Sequence, residues 1–264
     1  MKAMIFAAGL GTRLRPLTDN RPKALVEVAG KPMLLWVVES LKRHGFDDIT
    51  INVHHFAGQI IDFARANGDF GVTLHISHER DLLLDTGGGI LHARQWLDGD
   101  EPFLVHNTDI ITDANLLEIY RHHTATGADA TLLTAPRATT RYLLFDGSGR
   151  LNGWVNKSTG KTLPEGLEHT SEQFTELAFG GIHVISPRVF PALEAYATSP
   201  SFPIIPFYVA LCRQLRIMSY VPQRPCRWHD IGKIDSLAQA AQSLAQMSQA
   251  QGRQNETVTK STNK

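Results

Sequence analysis

The chain contains little cysteine, no excess charge of either sign and no long hydrophobic run. Its 264 residues include two cysteines, Cys212 and Cys226, which are too few for a disulfide framework and lack the spacing of a metal knuckle. Its 26 basic and 26 acidic residues give a formal net charge of zero, so no overall field attracts nucleic acid or an anionic membrane. We expect a cytoplasmic protein that binds neither nucleic acid nor membrane.

The N-terminal residues 1–8 have the residue order of the start of a signal peptide, because one lysine is followed by apolar residues. The run ends at Gly9, which is short of a usual signal-peptide core. Arg13 and Arg15 follow where small residues would precede a cleavage site. No other stretch approaches the length needed to span a bilayer. We therefore expect residues 2–7 to form a buried first strand.

Short apolar runs alternate with helical patterns through the first half, which predicts an α/β fold with parallel strands. Strands are predicted over 2–7, 49–53, 72–76, 103–106 and 130–134, and helices over 33–41, 59–64, 90–96 and 115–123. Ligands of such sheets bind beyond the carboxyl ends of the strands. Gly9, Gly11 and Asp109 fall at these positions.

The second half has a different pattern, with a hairpin predicted over 143–151 about a glycine-rich turn. Further predicted elements are a strand over 175–185, helices over 187–195 and 206–215, a strand over 217–221 and an amphipathic helix over 234–247. Residues 249–264 are polar with one aliphatic residue, so we expect them to be disordered.

Glycines and cations are concentrated directly after the first predicted strand, where residues 7–23 read AAGLGTRLRPLTDNRPK. Gly9 and Gly11 let the backbone approach a ligand, and Arg13 and Lys23 can neutralise its negative charge. In this segment the third glycine of a dinucleotide fingerprint is replaced by leucine, and the Gly-Lys-Ser/Thr of a Walker loop is absent. We predict a polyphosphate site here, in preference to a plain strand-to-loop turn.

The same residues carry a family resemblance. The segment AGLGTRLRPLT at 8–18, followed by PKAL at 22–25 and KP at 31–32, resembles the signature of the sugar-1-phosphate nucleotidyltransferases, or NDP-sugar pyrophosphorylases. The resemblance is strongest to short bacterial N-acetylmuramate-1-phosphate uridylyltransferases and to mannose- or heptose-1-phosphate guanylyltransferases. It implies a Rossmann-like, three-layer α/β fold with a mixed, mainly parallel sheet and a small β-rich insert on the acceptor side. It also implies Mg²⁺ as cofactor, and a nucleoside triphosphate and a sugar 1-phosphate as substrates.

The resemblance implies one domain over 1–248, with a nucleotide-binding half at 1–134 and a sugar-phosphate half at 135–248. It also implies the catalytic residues. Asp109 matches the family's Asn-Gly-Asp element, although threonine replaces its glycine, and Asp230 in RWHDIG resembles Trp-X-Asp-X-Gly. Two carboxylates beside phosphate oxygens suit Mg²⁺, although each aspartate alone is typical of a cap or turn.

By the same resemblance, positively charged and glycine-rich positions contact the nucleotide. Arg13 is expected beside the leaving pyrophosphate and Lys23 beside the α- and β-phosphates. A second glycine loop, LDTGGG at 84–89, is expected to pack against base and ribose, although glycines at such a turn need no ligand. The expected nucleotide contacts are Ala8, Gly9, Gly11, Thr12, Arg13, Lys23, Glu79, Thr86, Gly87 and Gly88.

Base and sugar are the least determined parts of this hypothesis. Glu79 lies near the position that reads the base in relatives, where a carboxylate could accept from uracil or from guanine. Lys157 lies where the family's Glu-Lys pair holds the sugar phosphate, but Asn156 replaces the glutamate, and a solvated turn lysine explains it nearly as well. Asn156, Lys157 and Gly181 are the expected sugar-phosphate contacts.

The adjacent His122 and His123 are expected on a helix surface.

We therefore expect transfer of a uridylyl group from UTP to N-acetylmuramate 1-phosphate. The alternative within the enzyme class is a guanylyltransferase that uses GTP and mannose or heptose 1-phosphate. A non-catalytic sugar-nucleotide-binding regulator remains a rival, against which Arg13, Lys23, Asp109 and Asp230 together argue. A nicotinamide-dependent oxidoreductase is disfavoured by Leu14. The oligomeric state is left open.

Overall fold

The computed structural model describes residues 1–170 and 172–244, and within them ten strands form one mixed sheet. The strands of the chain are β1 (Lys2–Phe6), β2 (Glu27–Val28), β3 (Lys31–Pro32), β4 (Asp48–Val53), β5 (Thr73–His78), β6 (Phe103–Asn107), β7 (Ile110–Thr112), β8 (Ala130–Ala135), β9 (Arg141–Phe145), β10 (Leu151–Asn156), β11 (Thr162–Leu163), β12 (Thr175–Ile185), β13 (Ile217–Tyr220) and β14 (Trp228–Asp230). The helices are α1 (Met33–Arg43), α2 (Ala57–Ala66), α3 (Asp85–His92), α4 (Arg94–Leu97), α5 (Leu116–Thr126), α6 (Phe190–Tyr196), α7 (Ile204–Leu211) and α8 (234–244).

The first half of the chain builds a parallel sheet in the order β6–β1–β4–β5. Ile5 of β1 lies opposite Ile51 of β4 and His106 of β6. Apolar residues in these strands are buried because helices cover both faces. Residues of α1, α2 and α5 pack in one hydrophobic cluster, and residues of α3, α4, α6 and α7 pack in another. This three-layer arrangement confirms the predicted Rossmann-like α/β class.

Strand β12 joins the parallel sheet to a small antiparallel insert. Its last residues, Ile182–Ile185, pair antiparallel with β6, whereas its first residues, Thr175–Leu177, pair with β9. Between them the register with β8 shifts, and Gly181 adopts a φ of 75°. Strands β9, β10 and β11 complete the insert, with β9 and β10 forming the predicted hairpin. One continuous strand thus serves both parts of the sheet.

Several predicted element bounds are wrong. The helix predicted over 90–96 begins at Asp85, so the three glycines belong to α3 and not to a loop. The helix predicted over 206–215 is Ile204–Leu211, and that over 187–195 is a 3₁₀ turn followed by α6. Of the helix predicted over 234–247, residues 234–244 are helical. The last three residues and the tail predicted over 249–264 lie outside the described residues.

His123 is buried, which contradicts its expected place on a helix surface. Its Nδ1 lies 2.9 Å from Thr131 Oγ1 and its Nε2 lies 2.9 Å from Ser186 Oγ, because α5 packs this face against the sheet. Burial lowers the pKa of His123 to about 4. None of the described helices is long and apolar enough to cross a bilayer.

Candidate active site

A cavity of about 430 Å³ opens at the carboxyl ends of β1, β4 and β6, which is where the α/β pattern predicts a ligand. It is bordered by the loop after β1, the start of α3 and the turn after β6. Its lining residues are Phe6, Ala7, Ala8, Gly9, Lys23, Ala24, Asn52, Glu79, Leu83, Asp85, Thr86, Asn107, Thr108, Asp109 and Ser201. Five of the expected nucleotide contacts, Ala8, Gly9, Lys23, Glu79 and Thr86, are among them.

The loop after β1 is shaped by two glycines with different surroundings. A Cβ on Gly9 would meet nothing within 4 Å, so this exposed backbone is open to a ligand. Gly11 has a φ of 67°, and a Cβ there would lie 3.0 Å from the Cβ of Lys23 and from Thr18 Cγ2. Its carbonyl accepts a hydrogen bond of 2.9 Å from Thr18 Oγ1. Glycine is thus required at position 11 because the loop folds closely over Lys23.

The loop continues into a 3₁₀ turn, Thr12–Leu14, which includes the expected contacts Thr12 and Arg13. Leu14 is fully buried in a cluster with Ile231 and with Ala240 of α8. The side chain of Leu14 therefore fixes the turn against the C-terminal part of the described chain. Arg13, its neighbour, is left exposed at the rim.

Lys23 and Asp109 form an ion pair inside the cavity. Lys23 Nζ lies 2.5 Å from Asp109 Oδ2, and the two side chains are 14% and 20% exposed. Asp109 directly follows β6 and the turn residue Thr108, whose hydroxyl donates to the carbonyl of Phe6 at the end of β1. This hydrogen bond links the turn to β1, which gives a structural role to the threonine that replaces the family's glycine.

Asp230 reaches the same region from a distant part of the chain. Strand β14 pairs antiparallel with β7, so that Asp230 lies opposite Ile110, and Ile231 N donates to Asp109 O at 2.8 Å. Asp230 Oδ1 accepts from Gly232 N at 2.8 Å. A Cβ on Gly232 would lie 2.8 Å from that oxygen and 3.0 Å from Arg13 Nη2.

The four expected catalytic residues, Arg13, Lys23, Asp109 and Asp230, are therefore neighbours. Asp109 lines the cavity, whereas Asp230 is exposed beside it. Among the described residues no group of three or more His, Cys, Asp or Glu side chains could hold a metal ion. Two carboxylates nevertheless fit Mg²⁺, which takes its other ligands from phosphate oxygens and water.

Glu79 is buried and both of its carboxylate oxygens accept hydrogen bonds from the protein. Oε1 accepts from Asn52 Nδ2 at 2.7 Å, and Oε2 accepts from Leu84 N at 2.8 Å. Asn52 in turn accepts from Ala7 N at 2.7 Å. Glu79 thus connects the loop before α3 to the end of β1. Sequence reasoning missed Asn52, although a polar residue inside the apolar strand INV was a usable signal.

The three glycines of α3 serve close packing against residues 200–202. A Cβ on Gly87 would lie 2.4 Å from the ring of Phe202, and one on Gly88 would lie 2.1 Å from Pro200 O. The amides of Gly87 and Gly88 donate to Phe202 O, and Thr86 Oγ1 accepts from Ile204 N at 2.9 Å. Gly87 and Gly88 do not line the cavity, whereas Thr86 does. The close approach that Gly87 and Gly88 permit is therefore to residues 200–202 of the same chain.

The expected sugar-phosphate contacts are spread over two places. Asn156 ends β10 and its Oδ1 accepts from Ser158 N and Oγ, while Lys157 Nζ lies 2.5 Å from Glu176 Oε1. Neither lines the cavity at the strand ends. Gly181 is adjacent to that cavity, because a Cβ there would lie 3.1 Å from Asn107 Nδ2.

A second cavity, of about 490 Å³, lies between the insert, β12 and the start of α7. Its walls are apolar apart from two arginines and one threonine. The lining residues are Arg137, Thr139, Arg141, Leu143, Trp154, Leu163, Ala178, Phe179, Pro203, Ile205 and Pro206. Sequence reasoning missed both arginines.

A sequence model of the family described as nucleotidyl transferase matches residues 2–247 of this chain. The chain belongs to that family. The transferase is 34% identical over 247 residues to an N-acetylmuramate alpha-1-phosphate uridylyltransferase of Neisseria meningitidis serogroup B, covering 93% of this chain and 98% of the relative. It is 32% identical over 242 residues to a probable mannose-1-phosphate guanylyltransferase 2 of Arabidopsis thaliana, covering 88% of this chain but 62% of the relative.

Solved structures with the same fold include HddC from Yersinia pseudotuberculosis complexed with GMP-PN, with a TM-score of 0.70 and 22% identity over 92% of this chain and 99% of that one. A UDP-glucose pyrophosphorylase complexed with UDP-glucose gives a TM-score of 0.72 and 18% identity over 93% and 98%. The expected family resemblance and fold are confirmed. The transferase is an enzyme of the sugar-1-phosphate nucleotidyltransferase type.

Proposed function

We propose that this transferase moves a uridylyl group from UTP to N-acetylmuramate 1-phosphate in the cytoplasm. The observation that carries the proposal is the Lys23–Asp109 pair, set beside the open backbone of Gly9 in a cavity at the strand ends. Such a site offers a cation and backbone amides to a triphosphate, and a carboxylate to the metal that accompanies it. The Neisseria relative, which matches this chain over 98% of its own length, supports the acceptor sugar.

In the proposed reaction an oxygen of the sugar 1-phosphate attacks the α-phosphorus of UTP. A new P–O bond forms to the sugar phosphate, the bond to the β-phosphate oxygen breaks, and pyrophosphate leaves with the electron pair. Lys23 neutralises the α- and β-phosphates, and Arg13 neutralises the leaving pyrophosphate. Asp109 and Asp230 would hold Mg²⁺, which supplies further charge neutralisation between the two anionic substrates. Catalysis is then mostly positioning and neutralisation of charge.

The contacts of Glu79 bear on the choice between uracil and guanine. The carboxylate of Glu79 could accept from the single imino donor of uracil or from the imino and amino donors of guanine. Both of its oxygens already accept hydrogen bonds from Asn52 and Leu84. These contacts give the carboxylate a structural role, so its presence does not by itself favour guanine over uracil.

Pyrophosphate release from purified protein tests the proposal. UTP, GTP, ATP and dTTP are each combined with N-acetylmuramate, mannose and glucose 1-phosphates in the presence of Mg²⁺. We expect the highest kcat/KM for UTP with N-acetylmuramate 1-phosphate. A preference for GTP with mannose 1-phosphate would establish the alternative, and no release with any pair would contradict the enzyme assignment.

A matched pair of aspartate variants tests the site. Asp109→Asn removes the charge from the cavity and should lower kcat by about 10³-fold, in the range of lost electrostatic stabilisation at other active sites. Asp62→Asn removes an exposed charge from α2 and should leave kcat unchanged. If Asp109→Asn retained wild-type turnover, the proposed role of this carboxylate would be wrong. Nucleotide binding without turnover in the wild type would indicate the non-catalytic regulator.

A further inference from the structure

The second cavity has a wall chemistry that nucleotidyl transfer alone does not explain. Six of its lining residues are aliphatic or proline and two are aromatic, and no acidic residue is among the eleven. Two arginines, Arg137 and Arg141, are set into this wall. A neutral sugar would gain little from a guanidinium in an apolar cavity, because burying that charge carries a desolvation cost. The pair therefore indicates an anionic group in the ligand.

Arg137 is held in place by contacts that leave part of its guanidinium available. Nη2 donates to Phe179 O at 2.6 Å, and the guanidinium stacks over the ring of Trp228 at 3.8 Å from its centroid. Nε is buried and has no hydrogen-bond partner among the described residues. Burial lowers the pKa of Arg137, and the charge of Asp230 opposes this effect. Within the described residues the guanidinium makes the one hydrogen bond to Phe179 O, so an anion in the cavity would add charge-assisted partners that the protein does not provide.

Arg141 lies at the first position of β9, where its exposed side chain lines the same cavity. It forms no ion pair with any described residue. Lys157, by contrast, is on the same insert and is already neutralised by Glu176 at 2.5 Å. Of these two exposed cations of the insert, Arg141 is therefore the one whose charge is available to a ligand.

The position of the cavity relates it to the acceptor and not to the nucleotide. Arg137 stacks on Trp228, two residues before Asp230, and Phe179 precedes the Gly181 bulge beside Asn107. A sugar whose 1-phosphate lies near Asp230 and Arg13 would thus direct its ring substituents toward Arg137. The two arginines then meet a group on the sugar ring, away from the reacting phosphate.

We propose that Arg137 and Arg141 recognise a carboxylate on the acceptor sugar and make the enzyme select an acidic sugar 1-phosphate over its neutral counterpart. The inference rests on the proposed function and deepens it, because N-acetylmuramate is N-acetylglucosamine with a lactyl ether that carries a carboxylate. The planar guanidinium suits bidentate contact with such a group. The two arginines are specificity residues and take no part in the chemical step.

Comparison of the two amino sugars provides the test. We measure kcat/KM of UTP-dependent pyrophosphate release for N-acetylmuramate 1-phosphate and for N-acetylglucosamine 1-phosphate, which differ only in the lactyl group. The wild type should prefer the acidic sugar by about tenfold or more, as expected for charge-assisted hydrogen bonds. Arg141→Met should reduce this ratio by about tenfold, chiefly through the KM of the acidic sugar. Arg141→Lys should restore part of the ratio, since it keeps the charge and loses the planar fork.

Control variants separate this role from the alternatives. Arg65→Met removes an exposed cation from α2 and should leave the ratio unchanged. Arg141 is the primary target because Arg137 also packs on Trp228, so that Arg137→Met could disturb the fold. An equal loss for both sugars in Arg141→Met would mean that this arginine holds the 1-phosphate, which overturns the inference.

The remaining outcomes distinguish the two proposals. If the wild type uses N-acetylmuramate 1-phosphate and Arg141→Met keeps the same ratio, the inference is overturned and the proposed function stands. If only neutral sugar 1-phosphates are used, or neither amino sugar is used, both are overturned. If Arg141→Met lowers kcat/KM for the acidic sugar alone, so that the ratio falls, the inference and the proposed function are both supported.

Discussion

The ion pair between Lys23 and Asp109 leads to a prediction about metal binding before the nucleotide arrives. In the nucleotide-free protein the ammonium of Lys23 lies 2.5 Å from the carboxylate that is expected to bind Mg²⁺. A divalent cation must compete with this internal cation. Replacing Lys23 by methionine keeps a side chain of similar length and removes the competing charge. We therefore expect Lys23→Met to bind a divalent cation more tightly than the wild type.

The size of the effect follows from the charge and the burial of the pair. Two unit charges about 4 Å apart attract by about 4 kcal/mol at an effective dielectric constant of 20. Desolvation of two largely buried side chains offsets part of this attraction, which leaves about 1–3 kcal/mol of net coupling. This energy corresponds to a dissociation constant lower by about 5- to 150-fold in the variant. Turnover should fall in the same variant, because the phosphates lose their cation.

Titration of nucleotide-free protein with Mn²⁺, followed by the electron paramagnetic resonance of the free ion, measures this difference. Lys161→Met is the matched control, since Lys161 is exposed in the turn after β10 and should leave the dissociation constant unchanged. Adding Asp109→Asn to Lys23→Met should abolish the gain. If Lys23→Met binds Mn²⁺ no more tightly than the wild type, the ammonium does not compete for Asp109 and the argument fails.

Three further predictions concern packing, polar contacts and pH. Gly88→Ala should destabilise the fold by about 1–3 kcal/mol in urea unfolding, because its Cβ would meet a backbone carbonyl at 2.1 Å. Gly58→Ala is the control: a Cβ there would meet open space, so this variant should be more stable by about 0.5–1 kcal/mol. Equal effects of the two substitutions would refute the packing argument. Glu79→Gln should lower the free energy of unfolding by about 1–3 kcal/mol and raise the KM of UTP. Both carboxylate oxygens accept hydrogen bonds, whereas an amide must turn its NH₂ toward one of the two donors. Unchanged stability would contradict this prediction. Burial lowers the pKa of His183 from 6.5 to about 3 in the folded protein. As pH falls below 6.5, the unfolded chain binds a proton at this residue and the folded protein does not. The free energy of unfolding therefore decreases by roughly 1.4 kcal/mol per pH unit until about pH 3. His183→Gln should flatten the urea stability profile over this range, and an unchanged slope would refute the assignment.

The parts of the fold that the sequence predicted are those with strong local signals. Apolar strands alternating with amphipathic helices predicted the parallel sheet, and the strands at 49–53 and 103–106 were found within one residue of their bounds. The glycines and cations after the first strand predicted a phosphate cradle, and Gly9 and Lys23 both line the cavity. These signals are local because each depends on the burial and backbone conformation of residues that are close together in the sequence.

The misses have non-local causes. Glycine disfavours helix, so GGG predicted a loop, but the approach of Pro200 and Phe202 to α3 requires residues without a Cβ. His123 was expected at the surface because nothing in its own helix shows that Ser186, 63 residues later, would bond to it. Strands β7 and β14 are three residues long and too short for a periodic pattern, so the neighbourhood of Asp109 and Asp230 came from resemblance alone.

The pairing of β14 with β7 also sets the order in which activity can appear during protein synthesis. The parallel strands β1, β4, β5 and β6 and the glycine loop are complete within the first 110 residues, so a nascent chain could gather them early. Asp230 reaches its neighbours only after more than a hundred further residues have been translated. A growing polypeptide on the ribosome would thus carry the proposed triphosphate cradle without the second of the two carboxylates proposed to bind the metal. Ribosome-bound intermediates should then be catalytically silent until that late segment emerges.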